Sequence, residues 1–227
     1  MHGEGGPPGL PSPYPGILDS ALHYARRSIG VVALAGKKPT HEWRNRDGTY
    51  GLRCPIRIRQ EFSKPGVTGV GITTGGRLNL VVLDVDLKHG TEAERSLDAL
   101  VNDQRDAFLT TAQVVTGTGG RHYYFRAKHA VGNSASELGK HIDVRGTGGF
   151  VVAPPSVHPD TGKPYRWANL GADPLPAPLA FPSGNGTGAI ADIESLDVPP
   201  VAEEDRKAVL LREAAAVKVG PSGRPRA

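Results

Sequence analysis

The chain has 227 residues, of which 38% are hydrophobic, so it is long enough for one substantial core flanked by tails. Its 27 basic and 23 acidic side chains leave a formal net charge of +4, which is compatible with a nucleic-acid partner but does not require one. Cys54 is the only cysteine, which excludes a disulfide framework; without a secretory signal or an apolar run of roughly 18 residues, we expect a soluble, cytoplasmic protein with no membrane partner.

The first part of the chain begins irregularly and then forms a helix and a strand. Residues 1–16 are rich in proline and glycine, so we expect a flexible arm. Apolar residues at helical spacing predict a helix over 17–29, ended by Gly30, and then a short strand over 31–34. The basic, poorly periodic residues 35–67 are interpreted as a solvated surface of loops and helix, with contact to a polyanion as the alternative.

The middle of the chain carries the clearest strand pattern. Strands are predicted at 70–73 and at the apolar, β-branched run 80–83, which leads directly into Asp84. Thr91 opens a Ser/Thr-x-x-Glu capping box, which predicts an amphipathic helix extending to about residue 108. A helix between strands indicates a crossover connection.

Short strands separated by glycine turns follow. Those predicted are 113–116, 121–126, 142–145 and 150–153, with an edge pairing at 165–167. The turns at 117–120 and 146–149 have the composition of hairpin connections that need positive φ. The whole pattern predicts an α/β chain with one folded domain over 17–181. We expect residues 182–227 to be a linker or a partner-docking tail with a short helix.

Two carboxylates stand at the end of the most apolar strand. Asp84 and Asp86 lie two residues apart, so their side chains share one face of the strand while Val85 points into the core. Neighbouring carboxylates resist joint ionisation, and a hard cation such as magnesium or manganese is the usual reason to keep them together. The alternative is that acidic residues simply cap the strand end.

Three further segments carry candidate phosphate and metal contacts. His122 lies beside a glycine-rich turn, where it either donates to a phosphate oxygen or bridges strand and loop. Asp143 and Arg145 share the face opposite the core, so they either pair with each other or act as a metal ligand and a fork for phosphate oxygens. Ser156 and His158 are donors on a loop directed by two prolines.

In their order along the chain, these motifs resemble those of the archaeo-eukaryotic primase superfamily, and most closely its bifunctional primase-polymerase (prim-pol) domain. The matching segments are 84–86 for the Asp-x-Asp motif, 120–122 for the small-residue-x-His motif, 142–143 for the apolar-Asp motif and, more loosely, 162–167 for a Gly-x-Tyr-x-Trp pattern. The resemblance covers about residues 17–167. Each motif is weak alone, but the ordered set is specific.

The resemblance implies an archaeo-eukaryotic primase core, in which a mixed sheet with a part like an RNA-recognition module is flanked by helices. It also implies template-directed synthesis of DNA or RNA from nucleoside triphosphates on a single-stranded or primed template. The implied ligands of two magnesium or manganese ions are Asp84, Asp86 and Asp143, and the implied nucleotide contacts are His122, Arg145, Ser156 and His158. Many relatives are fused to a helicase, so a helicase or another replication protein is the expected partner of the tail.

Two other functions remain open from the residues. Aspartate and histidine clusters also support phosphodiester cleavage, which makes a metal-dependent nuclease or a nicking replication initiator one alternative. The other is a non-catalytic module that binds nucleotide or single-stranded nucleic acid on the same sheet. The residues do not distinguish ribonucleotides from deoxynucleotides, or priming from extension.

Overall fold

The structure is a computed structural model that describes residues 16–45, 49–101, 108–109, 111–168 and 179–180. The predicted N-terminal arm, except Gly16, and the predicted tail with its helix lie outside the described residues. The helices are α1 (Ile17–Arg26), α2 (Pro55–Phe62) and α3 (Thr91–Val101). The strands are β1 (Val31–Ala35), β2 (Lys38–Pro39), β3 (Gly69–Thr73), β4 (Leu80–Val85), β5 (Ala112–Val115), β6 (Arg121–Arg126), β7 (Ser134–Ala135), β8 (Ile142–Arg145), β9 (Phe150–Ala153), β10 (Arg166–Trp167) and β11 (Leu179–Ala180).

The strands form two sheets. The smaller sheet has the order β2-β1-β3-β9, and the larger has the order β10-β5-β6-β4-β8-β7, with β11 alongside β6. All of these pairings are antiparallel except that of β11 with β6. The described residues thus combine three helices with two largely antiparallel sheets, which confirms the predicted mixed α/β (α+β) class. The finer expectation, a primase-type core with a part like an RNA-recognition module, stays a prediction.

The most apolar run of the sequence forms a central strand of the larger sheet. β4 pairs with β6 on one side and with β8 on the other. Leu83 and Val85 point to one face of the sheet, and Val82 and Asp84 to the opposite face, as strand alternation requires. Because a slip by one residue would exchange these faces, the burial of β4 fixes its register strongly.

Each face of the larger sheet packs against a different layer. One apolar cluster joins the face that carries Val82 and Tyr124 to the smaller sheet and to helices α1 and α2. A second cluster joins the opposite face to Leu97 and Leu100 of α3 and to Phe108. The larger sheet is therefore covered on both sides. Of the helices in the described part of the chain, none has the length and apolar composition needed to cross a membrane.

Most predicted elements are confirmed, with small shifts at their ends. The helix predicted over 17–29 ends at Arg26, and the predicted edge pairing of Trp167 is present as a pairing of β10 with β5. The helix predicted from Thr91 begins there and is described as far as Val101. The polar stretch over 35–67 is largely a surface of loops and helix, as interpreted, and its helix is α2, whose position the sequence pattern did not give.

One of the two predicted hairpins is wrong. Residues 117–120 do connect the antiparallel pair β5 and β6, whereas residues 146–149 lead from β8 in the larger sheet to β9 in the smaller sheet. β9 pairs with β3 instead, and the hydroxyl of Thr74, just after β3, donates to the carbonyl of Gly146. The expected positive φ is present, at 75° for Gly148. Glycine composition predicts the turn but not the sheet that the next strand joins, because the same local backbone suits either connection.

Candidate active site

Three side chains from three neighbouring strands form a row across the larger sheet. Asp84 on β4 lies directly opposite His122 on β6 and, on its other side, directly opposite Asp143 on β8. Directly opposed residues of antiparallel strands point to the same face of a sheet. The row of His122, Asp84 and Asp143 therefore lies on one face. All three were predicted from the sequence as candidate site residues.

Apolar neighbours and one glycine hold this row in place. Val85, Ile142 and Val144 alternate with the row along the strands and are buried on the opposite face, as predicted. Gly120 precedes β6 where the end of β4 comes close, and a Cβ at this position would lie 2.5 Å from the carbonyl oxygen of Val85. A side chain at position 120 would therefore separate the strands that carry Asp84 and His122.

Arg145 links the two carboxylates of the row. Its Nη2 lies 2.9 Å from Oδ2 of Asp143 and 3.5 Å from Oδ2 of Asp84. His122 Nε2 lies 3.5 Å from the other carboxylate oxygen of Asp84. Burial raises the pKa of Asp84, but the neighbouring His122 and Arg145 outweigh this effect and hold the pKa below its ordinary value. Asp84 is therefore ionised at neutral pH.

Asp86 lies just after β4 and contacts Lys88. Its Oδ2 lies 2.6 Å from Lys88 Nζ, and its Oδ1 accepts a hydrogen bond of 3.2 Å from the backbone N–H of Lys88. The backbone N–H of Asp86 donates to the carbonyl oxygen of His141 at 3.0 Å. Asp86 thus begins a short 3-10 turn and does not continue the strand.

The three aspartates were predicted to bind two metal ions, and their chemistry suits that role. All three line one cavity, and carboxylate oxygens are the donors that magnesium and manganese prefer. Within the part of the chain that the structure describes, however, no group of three or more His, Cys, Asp or Glu side chains is placed to hold a metal ion. Instead, Arg145 forms ion pairs with Asp84 and Asp143, and Lys88 forms one with Asp86. The two-ion site stays a prediction.

The cavity lies between the two sheets and has a volume of about 540 Å³. Volumes of about 300–1,000 Å³ are typical of sites for small molecules. The row of His122, Asp84 and Asp143 belongs to the larger sheet, while Phe150 and its neighbours on β9 line the cavity from the smaller sheet. The cavity combines carboxylates with positive groups, so it can hold an anionic ligand together with a cation.

His158 lines the same cavity and packs against Tyr165. The two rings are stacked with their centroids 6.2 Å apart, and the ring of Tyr165 also lies 6.0 Å from the ring of His122. Burial and the nearby Lys37 lower the pKa of His158, so its imidazole is neutral at neutral pH. Nδ1 accepts from the backbone N–H of Asp160 at 3.3 Å, which places the proton on Nε2. This buried Nε2 has no hydrogen-bond partner among the residues that the structure describes.

Ser156 is the one predicted site residue that does not line the cavity. Its side chain is fully buried, and its hydroxyl both accepts from the backbone N–H of Val70 at 2.8 Å and donates to the carbonyl oxygen of Val70 at 3.1 Å. These two bonds tie the loop after β9 to β3. The structure brings together the other six predicted residues, namely Asp84, Asp86, His122, Asp143, Arg145 and His158.

The comparisons with known proteins agree with the motifs. A family model described as "Bifunctional DNA primase/polymerase, N-terminal" (Prim-Pol) matches residues 21–180. The chain belongs to the Prim-Pol family. No curated protein matches the chain. The matched segment contains the whole of the cavity lining, and it begins and ends close to the predicted domain over 17–181, whose exact limits stay a prediction.

Lys37 and Tyr165 are among the residues of this Prim-Pol cavity that were not chosen from the sequence. Lys37 lies in the turn between β1 and β2, just after Gly36, whose φ is 60°. Tyr165 was expected only as part of an edge strand, although it belongs to the loosely matched Gly-x-Tyr-x-Trp pattern. A lysine after a glycine at a strand end is a weak signal. Only the approach of the two sheets brings both residues to the cavity.

Proposed function

We propose that this Prim-Pol domain is a template-directed nucleotidyltransferase that joins nucleoside triphosphates into a DNA or RNA strand. The observation that carries the proposal is the row of His122, Asp84 and Asp143 in a cavity that Lys37 and Lys88 also line. Carboxylates beside positive groups suit a substrate that consists of a polyphosphate and a divalent cation. Family membership supports a primase- or polymerase-type reaction.

Asp84, Asp86 and Asp143 are the residues that would hold magnesium or manganese. When bound, such ions act as Lewis acids that lower the pKa of the attacking hydroxyl and neutralise charge on the leaving pyrophosphate. Asp84 already lacks its proton at neutral pH, because His122 and Arg145 hold its pKa low. Its oxygens are therefore available as ligands without prior loss of a proton.

The chain's own basic groups would orient the triphosphate. Arg145 donates to Asp143, and the planar fork of its guanidinium would also make a bidentate contact to phosphate oxygens. His158 offers an Nε2–H that lacks a partner among the described residues. His122 lies between Asp84 and Tyr165, where it can brace a phosphate against the row. Positioning and charge stabilisation of this kind supply most of the rate in phosphoryl transfer.

A second candidate is a non-catalytic module that binds nucleotide or single-stranded nucleic acid. The observation that favours it is the pairing of Asp143 with Arg145 and of Asp86 with Lys88, which satisfies the carboxylates without any ion. In this case the cavity would bind nucleotide in the absence of a divalent cation, and no product would form.

Primer extension tests the proposal directly. The full chain is incubated with a single-stranded template, labelled nucleotides and manganese or magnesium, with and without a primer. We expect labelled strands longer than the primer, and we expect Asp84→Asn to lower their rate of formation by roughly 1,000-fold, because the loss of one ligand costs about 4 kcal/mol of transition-state stabilisation. Asp98→Asn is the matched control, since Asp98 is exposed on α3.

Three results would contradict the proposal. Undiminished synthesis by Asp84→Asn would remove the acidic row from the mechanism. Nucleotide binding without incorporation would favour the non-catalytic module, and shortening of the template without added nucleotide would favour a nuclease. The Asp98→Asn variant shows whether any loss follows merely from removing one negative charge.

A further inference from the structure

Aromatic rings and one guanidinium group lie together where the chain crosses from the larger to the smaller sheet. We call this group the crossover platform, and it consists of Trp43, Arg44, Tyr50 and Phe150. The rings of Trp43 and Phe150 meet edge to face, with centroids 5.1 Å apart and planes inclined at 73°. The Cζ atom of Arg44 lies 5.1 Å from the centre of the Trp43 ring, within the range of a cation–π contact.

Backbone contacts hold the crossover platform in one geometry. Nε and Nη2 of Arg44 both donate to the carbonyl oxygen of Gly148, at 3.3 Å and 3.2 Å, so the plane of the guanidinium is fixed. Arg44 and Tyr50 form a β-bridge, and the ring of Tyr50 packs against Gly148, where a Cβ would lie 3.4 Å from Cε1. The ring of Phe150 covers Gly71, since a Cβ on Gly71 would come within 3.0 Å of it.

The crossover platform reaches from solvent to the cavity. Arg44 is exposed, Trp43, Tyr50 and Phe150 are half-buried, and Phe150 also lines the cavity that contains Asp84. A ligand that touches the platform is therefore next to the acidic row.

Two further arginines lie near residues 146–149, the crossover turn. Arg53 and Arg77 both line a small depression that includes Gly75, and Gly75 in turn contacts Thr147 in the crossover turn, because a Cβ on Gly75 would lie 2.6 Å from the Cα of Thr147. Nη2 of Arg53 also lies close to Gly76. Flat side chains beside several arginines match the two chemical features of a single strand, its stacked bases and its phosphates.

We propose that the crossover platform binds the single-stranded template by base stacking and leads it to the cavity. This inference rests on the proposed function, because the strand is called a template only if the domain copies it. Exposed bases stack on guanidinium planes and aromatic rings regardless of sequence, which is what a template-reading enzyme needs. Arg44, backed by Trp43, provides the stacking plane, and Arg53 and Arg77 contact phosphates.

The two tryptophans provide a direct measurement of this contact. Trp43 and Trp167 are the only tryptophans in the chain, and Trp167 is fully buried, with 0% of its surface exposed. The full chain is titrated with an oligothymidylate of about a dozen nucleotides, a length in the range of single-strand sites, without divalent cations or nucleotides. We expect the tryptophan emission to be quenched, and we expect Trp43→Phe to remove that response while a labelled oligonucleotide still shows binding by anisotropy.

Matched variants separate stacking from charge. Arg44→Ala is expected to weaken binding about ten-fold, the scale of one lost stacking contact. Arg44→Lys keeps the positive charge but removes the flat guanidinium group, so its affinity for the oligonucleotide should be close to that of Arg44→Ala. Arg95→Ala removes the same charge from the exposed side of α3 and should bind like the wild type.

Several outcomes would overturn the proposal. Wild-type affinity in Arg44→Ala, full rescue by Arg44→Lys, or unchanged Trp43 emission on binding would each exclude stacking on the platform. Equal quenching by duplex DNA would do the same, because its bases are already stacked. If the oligonucleotide quenches the emission but no strand is ever extended, the proposed function is wrong and the proposed binding surface is retained. If strands are extended without quenching, only the proposed binding surface is wrong.

Discussion

The two faces of the larger sheet are built from the same strands but have opposite character. The face toward α3 is apolar, with Leu83 and Val144 fully or almost fully buried. The face toward the smaller sheet carries His122, Asp84, Asp143 and Arg145, together with apolar residues such as Val82 and Tyr124. Since side chains alternate along a strand, the apolar face can fix the register that aligns the charged row on the other face.

Buried histidines follow the same division. Among the described residues, His23, His122 and His158 are the buried histidines, and all three lie on the side of the smaller sheet. We therefore expect substitutions toward α3 to change stability alone. Substitutions of the buried histidines and of the charged row on the other side should change the response to pH or to ligands. Three predictions follow this comparison, from the largest effect to the smallest.

Shortening the apolar face should destabilise the domain most. Leu83 has no exposed surface, so Leu83→Ala leaves a cavity and should lower the free energy of unfolding by about 2–5 kcal/mol. Urea unfolding measures this value. Leu109→Ala is the matched control, because Leu109 is 61% exposed and the same change there should cost far less. Equal losses for the two variants would mean that the apolar face does not secure the sheet.

Acidification should act through the side of the smaller sheet. Burial, with Arg27 and Arg26 nearby, lowers the pKa of His23 from 6.5 to about 4. His23 therefore binds a proton less readily in the folded protein than in the unfolded chain, so acidification favours unfolding. The contribution of neutral His23 to the free energy of unfolding is fully present above pH 6.5. It decreases as pH falls from 6.5 toward 4, by at most roughly 3 kcal/mol.

The His23→Gln variant isolates this effect. Urea unfolding at about pH 7 and about pH 5 should show a smaller loss of stability on acidification in this variant than in the wild type. His129→Gln serves as the control, since His129 is exposed. This variant should lose as much stability on acidification as the wild type does. An identical pH response in wild type and His23→Gln would contradict the assignment.

Removing the Ser156 hydroxyl should have the smallest effect on stability. Ser156→Ala leaves the backbone N–H and carbonyl of Val70 without their side-chain partner, which should cost about 1–3 kcal/mol. Nucleotide affinity and synthesis should not change. Ser63→Ala, at an exposed position, controls for the loss of a hydroxyl. If instead nucleotide affinity fell at unchanged stability, Ser156 would be the nucleotide contact that the family resemblance implies.

Local patterns predicted the elements well where one physical signal dominated. The short, β-branched apolar run before Asp84 was correctly predicted as a buried strand, and alternation correctly placed Ile142 and Val144 in the core with Asp143 and Arg145 on the other face. Helix α2 was not located because only Ile58 and Phe62 of its residues are buried, although Pro55 at its first turn is a helix-start signal. The turn at 146–149 was predicted correctly, but the sheet that the following strand joins was not.

The sequence by itself determined the family, the main strands and the candidate residues, because periodicity and ordered motifs are local properties of a chain. Tertiary structure alone decided that residues 146–149 cross between sheets, that Ser156 bonds to β3, and that Lys37 and Tyr165 join the cavity. It also decided that Arg145 bridges Asp84 and Asp143. These features depend on which distant segments become neighbours, and contacts of that kind form only when the two sheets pack together.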